Sequence, residues 1–367
     1  MAGMACGIEA APHVASERPR LAVAAVEALV LRAVRMLAGA TRAACPPTAV
    51  AALALSDPCH ALVAEDGEFC TSTDRKRCLE FVPRSYRRLA RLFGALDMVH
   101  QLNVSGRSAT QRELFYRVAA NGDGSLFSKQ ADMDRAIRDA VGALLIGRPH
   151  LGVLTSEKGL VAGALRFCDP CTSAASNATH GTSGVAISEA MLSDDATGLK
   201  VESAHCVLVV EKDSFFQHLL QGRLLASLPL VLITGRGYPD VLTRRLLQRL
   251  HRTAPHLPQV YLGDYDPHGV SIFLLYRASC PSLQWLGMHE ADVRCLPAQA
   301  SLPLTARDRA LQASLLRRPE VRGNDSYASE VRSMSRKFEL EAMHAAYSAE
   351  EIALHVVPEK ILRRAWI

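Results

Sequence analysis

The sequence predicts an α/β chain, α+β overall, built as a helical part followed by a doubly wound parallel sheet. Three observations predict it. At 367 residues the chain suits two compact domains. Up to residue 146, apolar residues recur three and four apart. From residue 207 onward, short apolar runs alternate with helical patterns as β-α-β-α-β-α, the order that a parallel sheet requires.

Residues 1–80 are a variable, Ala-rich region with one amphipathic helix expected at 21–40. Glu27, Arg32 and Arg35 in that stretch argue against a membrane span. Residues 1–20 carry Glu9 and Glu17 without an apolar core, which argues against a secretory leader. Pro46-Pro47 and the acidic patch 65–74 read as linker. Leu89, Leu92, Phe93, Leu96 and Val99 predict a helix over 86–102, broken by Ser105-Gly106-Arg107-Ser108. Thr110-Gln111-Arg112-Glu113 is a capping box, in which the threonine caps a helix and the glutamate reaches back. Tyr116 then falls in the second turn. Met133, Ile137, Val141 and Leu144 share one face of a helix over 129–146, ended by Pro149. Residues 151–155 and 160–167 are strand-like and flank Ser156-Glu157-Lys158-Gly159, as a β-hairpin would. Helices closing on a hairpin give 81–167 a winged-helix outline, a common DNA-docking unit. Residues 168–204, rich in Ser, Ala, Thr, Asn and Gly, read as a flexible connection with a short strand at 184–187. The parallel sheet occupies 205–367, with strands at 207–210, 230–234 and 259–263 and helices at 215–225, 239–251 and from 269.

A net charge of +5 is small, so nucleic-acid affinity must come from local clusters. Two exist: Arg75, Lys76, Arg77, Arg84, Arg87, Arg88 and Arg91, and Arg236, Arg244, Arg245, Arg249 and Arg252. Solvated helix faces are the plain alternative for both. Ten scattered cysteines form no disulfide framework and suit reduced thiols in an intracellular protein. Cys168-Asp169-Pro170-Cys171 is a lone CxxC without the second ligand pair that zinc needs.

The chemistry concentrates in three segments. Glu211 follows the first strand of the sheet, and Asp264 and Asp266 follow the third. In parallel sheets ligands bind at the carboxyl ends of the strands, so all three carboxylates belong to one edge. A hard, all-oxygen donor set of this kind suits Mg²⁺. An Asp-x-Asp before a helix also fits simple capping. Thr234-Gly235-Arg236-Gly237-Tyr238-Pro239 follows the middle strand. Its glycines permit close backbone approach, and the helix that follows attracts phosphate at its N-terminus. A plain β-α turn is the alternative there. Tyr116 offers a phenol. Arg112, one turn earlier, shares its face and could stabilise the phenolate.

These motifs resemble the A-type chain of type IIB DNA topoisomerase (topoisomerase VI) and its eukaryotic relatives that make meiotic double-strand breaks. The resemblance runs from about Tyr86 to the end. Residues 108–116 are similar to the segment carrying that family's catalytic tyrosine, which implies Tyr116 as nucleophile with Arg112 beside it. Residues 156–163 are similar to its winged-helix hairpin. Val210-Glu211-Lys212-Asp213, residues 234–240 and residues 264–269 resemble its Toprim domain. That implies Mg²⁺ on Glu211, Asp264 and Asp266, and DNA or phosphate contacts from Lys158, Arg236, Gly237, His268, Arg244 and Arg245. Leu315-Leu316-Arg317-Arg318-Pro319 and the closing Trp366-Ile367 lean towards the meiotic branch. Arg236 stands where the family often has lysine, which keeps the charge but changes donor geometry.

Such a protein acts in the nucleus on double-stranded DNA, without a membrane. It works as a homodimer whose two composite sites each join the tyrosine of one protomer to the metal site of the other. Its expected partners are meiotic accessory proteins and a topoisomerase VI B-like chain. Its tyrosine attacks the backbone phosphate and leaves a covalent 5′-phosphotyrosyl link. Three other functions share these features: one chain of a reversible ATP-dependent topoisomerase, a primase or nuclease sharing only the metal domain, and a non-cutting DNA-binding scaffold.

Overall fold

A computed structural model describes residues 17–42, 52–56, 62–63, 69–70, 76–120, 126–154, 157–168, 175–177, 183–188, 190–192 and 199–367. Two compact units divide it, 1–156 and 157–367. No described helix is long and apolar enough to cross a membrane.

The first described element of the first unit is helix α1 (Glu17–Arg42), which contains the span expected at 21–40. Two short antiparallel pairs follow. β1 (Ala52–Ser56) pairs with β4 (Lys76–Glu80), and β2 (Leu62–Val63) pairs with β3 (Phe69–Cys70). Part of the expected acidic linker is therefore strand, because Phe69 and Cys70 lie in β3. Pro46-Pro47, Arg75 and Cys171 lie outside the described residues. Then come α2 (Tyr86–Val104), β5 (Ala109–Thr110), α3 (Gln111–Ala120), α4 (Gln130–Leu144) and β6 (Val153–Leu154). The helical periodicities pack as anticipated: Leu89, Leu92, Leu96 and Val99 of α2 share a core with Met133, Ile137 and Val141 of α4. Leu145, in the left-handed conformation, ends α4 before Pro149 is reached.

Two expectations for this region need correction. The basic run is not simply a solvated face. Arg88 grips the buried Asp139 through two bonds of 2.8 Å. Arg91 pairs with Asp132 at 2.7 Å, and Arg84 with Glu80 at 2.7 Å. Arg88 and Arg91 thus tie α2 to α4. The expected hairpin is also not formed. β6 pairs in parallel with β5, while β7 (Leu160–Gly163) pairs antiparallel with a strand of the second unit's sheet. All four residues of β7 are buried, so the apolar run finds more cover in that sheet than in a two-stranded wing. The unit boundary accordingly falls at Ser156/Glu157, ahead of 167.

The second unit continues with β8 (Leu165–Cys168), β9 (Ala175–Asn177), β10 (Val185–Ala186) and β11 (Lys200–Val201). β10 is the short strand expected at 184–187, and β11-β8-β9 form a small sheet of their own. The main sheet adds β12 (Val207–Val210), β13 (Val231–Thr234), β14 (Gln259–Leu262) and β15 (Gln284–Gly287), in the order β10-β7-β13-β12-β14-β15. β13, β12, β14 and β15 run parallel. β12, β13 and β14 are buried at every position, as strands covered on both faces must be. Between them lie α5 (Asp213–Gln221), α6 (Leu224–Ser227), α7 (Val241–Thr253) and α8 (Pro267–Ser279). The single helix expected at 215–225 is two, because Arg223 takes a left-handed φ of 63°. After β15 the chain is mostly helical, and a 3-10 turn at Leu340–Ala345 returns it to the strand ends.

The chain crosses from β13, on one side of β12, to β14 on the other. The end of β12 and β14 is therefore the topological switch point, where crevices open in such sheets.

Candidate active site

Glu211 directly follows β12, and Asp264 lies two residues beyond β14, so the switch point brings together two buried carboxylates, each 6% exposed. Glu211 Oε2 accepts from the Tyr261 hydroxyl at 2.9 Å and from the Asp264 amide at 3.0 Å. Glycine is required beside it at two places. A Cβ at Gly263 would meet Glu211 Oε2 at 2.6 Å, and one at Gly269 would meet the Asp264 carbonyl oxygen at 2.3 Å. Asp264 Oδ1 accepts from the Leu340 amide at 2.8 Å, and its Oδ2 lies 3.1 Å from Lys212 Nζ. Asp266 is half-buried and caps α8, its Oδ1 accepting from the Gly269 amide at 2.7 Å. Both sequence-level alternatives for Asp-x-Asp are therefore present: Asp264 enters the site and Asp266 serves the helix.

Burial dominates the electrostatics of these acids, and neighbouring negative charge adds to it. Burial pushes the Glu211 carboxyl up to about 8, and the Asp264 charge adds to it. Burial pushes Asp264 up to about 6 against the Lys212 ammonium. The charge of Asp266 raises both, so the three acids share one field. They are not a closed ligand shell, however. Among the described residues no three His, Cys, Asp or Glu side chains gather as a metal-holding group. Glu211 and Asp264 fit Mg²⁺ by donor chemistry, being oxygen ligands with negative charge that a cation would relieve. Asp266 caps α8 through Oδ1, which leaves its Oδ2 to complete the set.

The turn after β13 is clasped to the same strand end. The Gly237 amide donates to the Glu211 carbonyl at 2.8 Å, and Thr234 Oγ1 lies 3.3 Å from that oxygen. Arg236 and Gly237 hold φ of 54° and 86°, a conformation costly for the arginine. Arg236 Nε sits 3.2 Å from Asp213 Oδ2 at the start of α5. The α7 N-terminus, where the sequence suggests a phosphate contact, carries a carboxylate of its own. Asp240 already caps it, accepting from the Thr243 amide at 2.7 Å and the Lys158 amide at 2.9 Å. Lys158 Nζ donates to the Tyr238 carbonyl at 3.2 Å, which sets it over this turn. His268 Nε2 faces Asp308 at 3.5 Å, and Arg244 reaches the Asp240 carbonyl and Ser279 Oγ, both at 3.4 Å. Arg245 is half-buried on α7.

In the first unit, the Glu113 amide bonds Thr110 Oγ1 at 3.1 Å, so the threonine half of the predicted box opens α3, while the Glu113 carboxylate pairs with Arg117 at 2.5 Å instead of reaching back. Tyr116 is 56% exposed, and the Arg112 guanidinium carbon lies 5.9 Å from its ring centroid. Phe115 packs edge-on to it, at 5.5 Å between centroids, and contacts the core. The phenol is available at the surface beside a positive charge.

Sequence reasoning gave no role to Lys212, Tyr261, Glu339 or Glu341. Lys212 Nζ lies 3.0 Å from Glu339 Oε2 and 2.8 Å from Glu341 Oε2. The position of Lys212 next to Glu211 was a usable signal. Nothing in the spacing links either residue to Glu339-Leu340-Glu341, far down the chain.

Residues 206–361 match the Toprim-domain model of the TOP6A-Spo11 family, and residues 87–153 match type IIB DNA topoisomerase. The human meiotic recombination protein SPO11 is 32% identical over 305 residues, covering 78% of this chain and 74% of that protein. SPO11-2 of Arabidopsis thaliana is 29% identical over 297 residues, 76% of each. The A3 chain of DNA topoisomerase 6 from Oryza sativa subsp. indica is 31% identical over 294 residues, 74% of this chain and 63% of that protein.

Proposed function

This chain belongs to the TOP6A-Spo11 family of topoisomerase 6 and meiotic recombination proteins, and from that premise we propose that it cuts both strands of duplex DNA to initiate meiotic recombination in the nucleus. The Tyr116 oxygen attacks a backbone phosphorus. The bond from phosphorus to the 3′ oxygen breaks, and a 5′-phosphotyrosyl bond replaces it. The phenol loses its proton as it attacks, and the departing 3′ oxygen takes one up. A phenol ionises near pH ~10, so the Arg112 charge assists by favouring the phenolate and drawing the phosphate.

Glu211 and Asp264, with Asp266, would hold Mg²⁺. When bound, that ion supplies charge stabilisation to the phosphate and the departing oxygen. The hydrogen bond from the Gly237 amide to the Glu211 carbonyl clasps the turn to the strand end, and Lys158 and Arg236 add positive charge along the same edge. Lys158, Arg236, Gly237, His268, Arg244 and Arg245 form the proposed DNA-facing set, with Arg244 and His268 acting mainly to brace α7 and α8. Two copies of the chain build two composite sites, the phenol of one serving the carboxylates of the other. Meiotic accessory proteins and a topoisomerase VI B-like chain complete the assembly. The observation that carries this reading is the burial of Glu211 and Asp264 together at the switch point, within the segment that matches the family.

The test is recovery of DNA under denaturing conditions from cells expressing this chain or Tyr116→Phe. Covalent DNA is expected with the first and absent with the second. Adducts on Tyr116→Phe protein would reject Tyr116 as nucleophile.

A second reading has a specific observation behind it: the rice topoisomerase chain matches almost as well as the human meiotic protein. Under it the chain reseals DNA with an ATPase partner. Relaxation of supercoiled plasmid by the reconstituted complex would select it.

A further inference from the structure

The Lys212 ammonium lies among three carboxylates that belong to two groups. Asp264, 3.1 Å away, is one of the proposed metal ligands. Glu339 and Glu341, at 3.0 and 2.8 Å, stand on the returning C-terminal segment. Glu341 is held on that side by a second bond, because its Oε1 accepts from Ser214 Oγ at 2.7 Å. Between the two glutamates, the Leu340 amide fixes Asp264 from the other oxygen at 2.8 Å. Asp264 is almost wholly buried, whereas the side chains of Glu339 and Glu341 are 51% and 42% exposed. Lys212 therefore bridges a dry carboxylate and two wet ones.

From this geometry we infer that Lys212 is an internal cation that competes with a divalent metal for Asp264, and that Glu339 and Glu341 receive it when the metal binds. The inference rests on the reading of Glu211 and Asp264 as metal ligands. An ammonium at hydrogen-bond distance occupies a lone pair and neutralises charge that a metal would use. Two cations a few ångströms apart in a buried crevice repel strongly. The glutamates offer Lys212 a place to withdraw to without leaving its charge unpaired. Since they are partly hydrated, the move needs little desolvation. Lys212 is thus a positioning residue for the metal site, and the segment Glu339-Leu340-Glu341 sets metal affinity without ligating the ion.

Mn²⁺ titration of the full chain, followed by electron paramagnetic resonance, tests this. Lys212→Met is expected to tighten Mn²⁺ binding roughly three- to tenfold, the scale of removing one nearby, partly screened charge. Lys212→Arg keeps the charge and stays near the parent affinity. The pair Glu339→Gln with Glu341→Gln weakens binding by a similar factor. If the glutamates act through Lys212, most of that weakening disappears in the Lys212→Met background, a coupling that independent field effects would not produce. Lys212→Met protein that binds Mn²⁺ no tighter than the parent overturns the inference while leaving the metal site standing. If neither protein binds Mn²⁺, the metal reading falls with it. Should Lys212→Met fail to fold, the exposed glutamine pair decides alone, and unchanged Mn²⁺ affinity there overturns the inference.

Discussion

Tyr116 and Tyr261 show how one residue type serves opposite ends at the scale of single side chains. Tyr116 is exposed, its ring beside Arg112. Its hydroxyl contributes little to packing, so Tyr116→Phe should change stability by less than about 0.5 kcal/mol in urea unfolding. Tyr261 is fully buried and gives Glu211 one of its hydrogen bonds. Tyr261→Phe leaves the buried Glu211 carboxyl and the Gly269 carbonyl each short of a donor, and a loss of about 1–3 kcal/mol is expected in the same measurement. Glu211 also sets a pH dependence. Its folded carboxyl titrates near 8, above the ordinary carboxylate range, because of burial and then the Asp264 charge. Between that range and pH 8 the folded chain keeps a proton that the unfolded chain has released. Stability must therefore fall as pH rises through this window, with Asp264 contributing up to about 6. Unfolding midpoints at pH 5 and pH 8 in chelator should show the fall, and Glu211→Gln should flatten it. A parent slope retained in Glu211→Gln would mean that the carboxyl is not the source.

Elements were legible where their pattern is local. The helical runs, the Thr110 cap and the β-α alternation from Val207 all depend on neighbours a few residues away. The strand ends were legible too, since chain direction in a parallel sheet puts Glu211 and Asp264 on one edge. The partner of β7 was not. An apolar run such as Leu-Val-Ala-Gly states that it will be buried, not against what, and the larger sheet supplied more cover than a two-stranded wing. The salt bridges from Arg88 and Arg91 escaped for the same reason: a basic run looks solvated until a helix far along the chain presents Asp139 and Asp132. The α8 turn makes a sharp prediction here. Gly269→Ala would set a methyl 2.3 Å from the Asp264 carbonyl, a backbone atom that cannot step aside cheaply. A loss of about 1–3 kcal/mol or more is expected, read as a lowered melting temperature. Normal stability in Gly269→Ala would show that the turn is looser than this packing implies.

At the scale of the whole molecule, the two units divide the proposed chemistry: Tyr116 lies in one, Glu211 and Asp264 in the other. The chain's last residues matter to the second. Trp285 and Ile367 exchange main-chain hydrogen bonds of 2.9 and 3.0 Å, so the closing segment covers the outer edge of β15. Deleting residues 364–367 should lower the stability of the full chain and promote aggregation, seen by light scattering, without changing Tyr116. A truncated chain as soluble and stable as the parent would show that this edge needs no cover.

The sequence by itself determined the α/β alternation, the capped helix that bears Tyr116, and the placement of Glu211 and Asp264 at strand ends. Each follows from short-range periodicity or from chain direction. Only the tertiary structure decided that β7 joins the sheet, that the Lys158 amide reaches Asp240, and that Lys212 is shared between Asp264 and the glutamates at 339 and 341. Those outcomes depend on which distant group fills a given space, and contacts between residues dozens of positions apart or more leave no periodic trace in the chain.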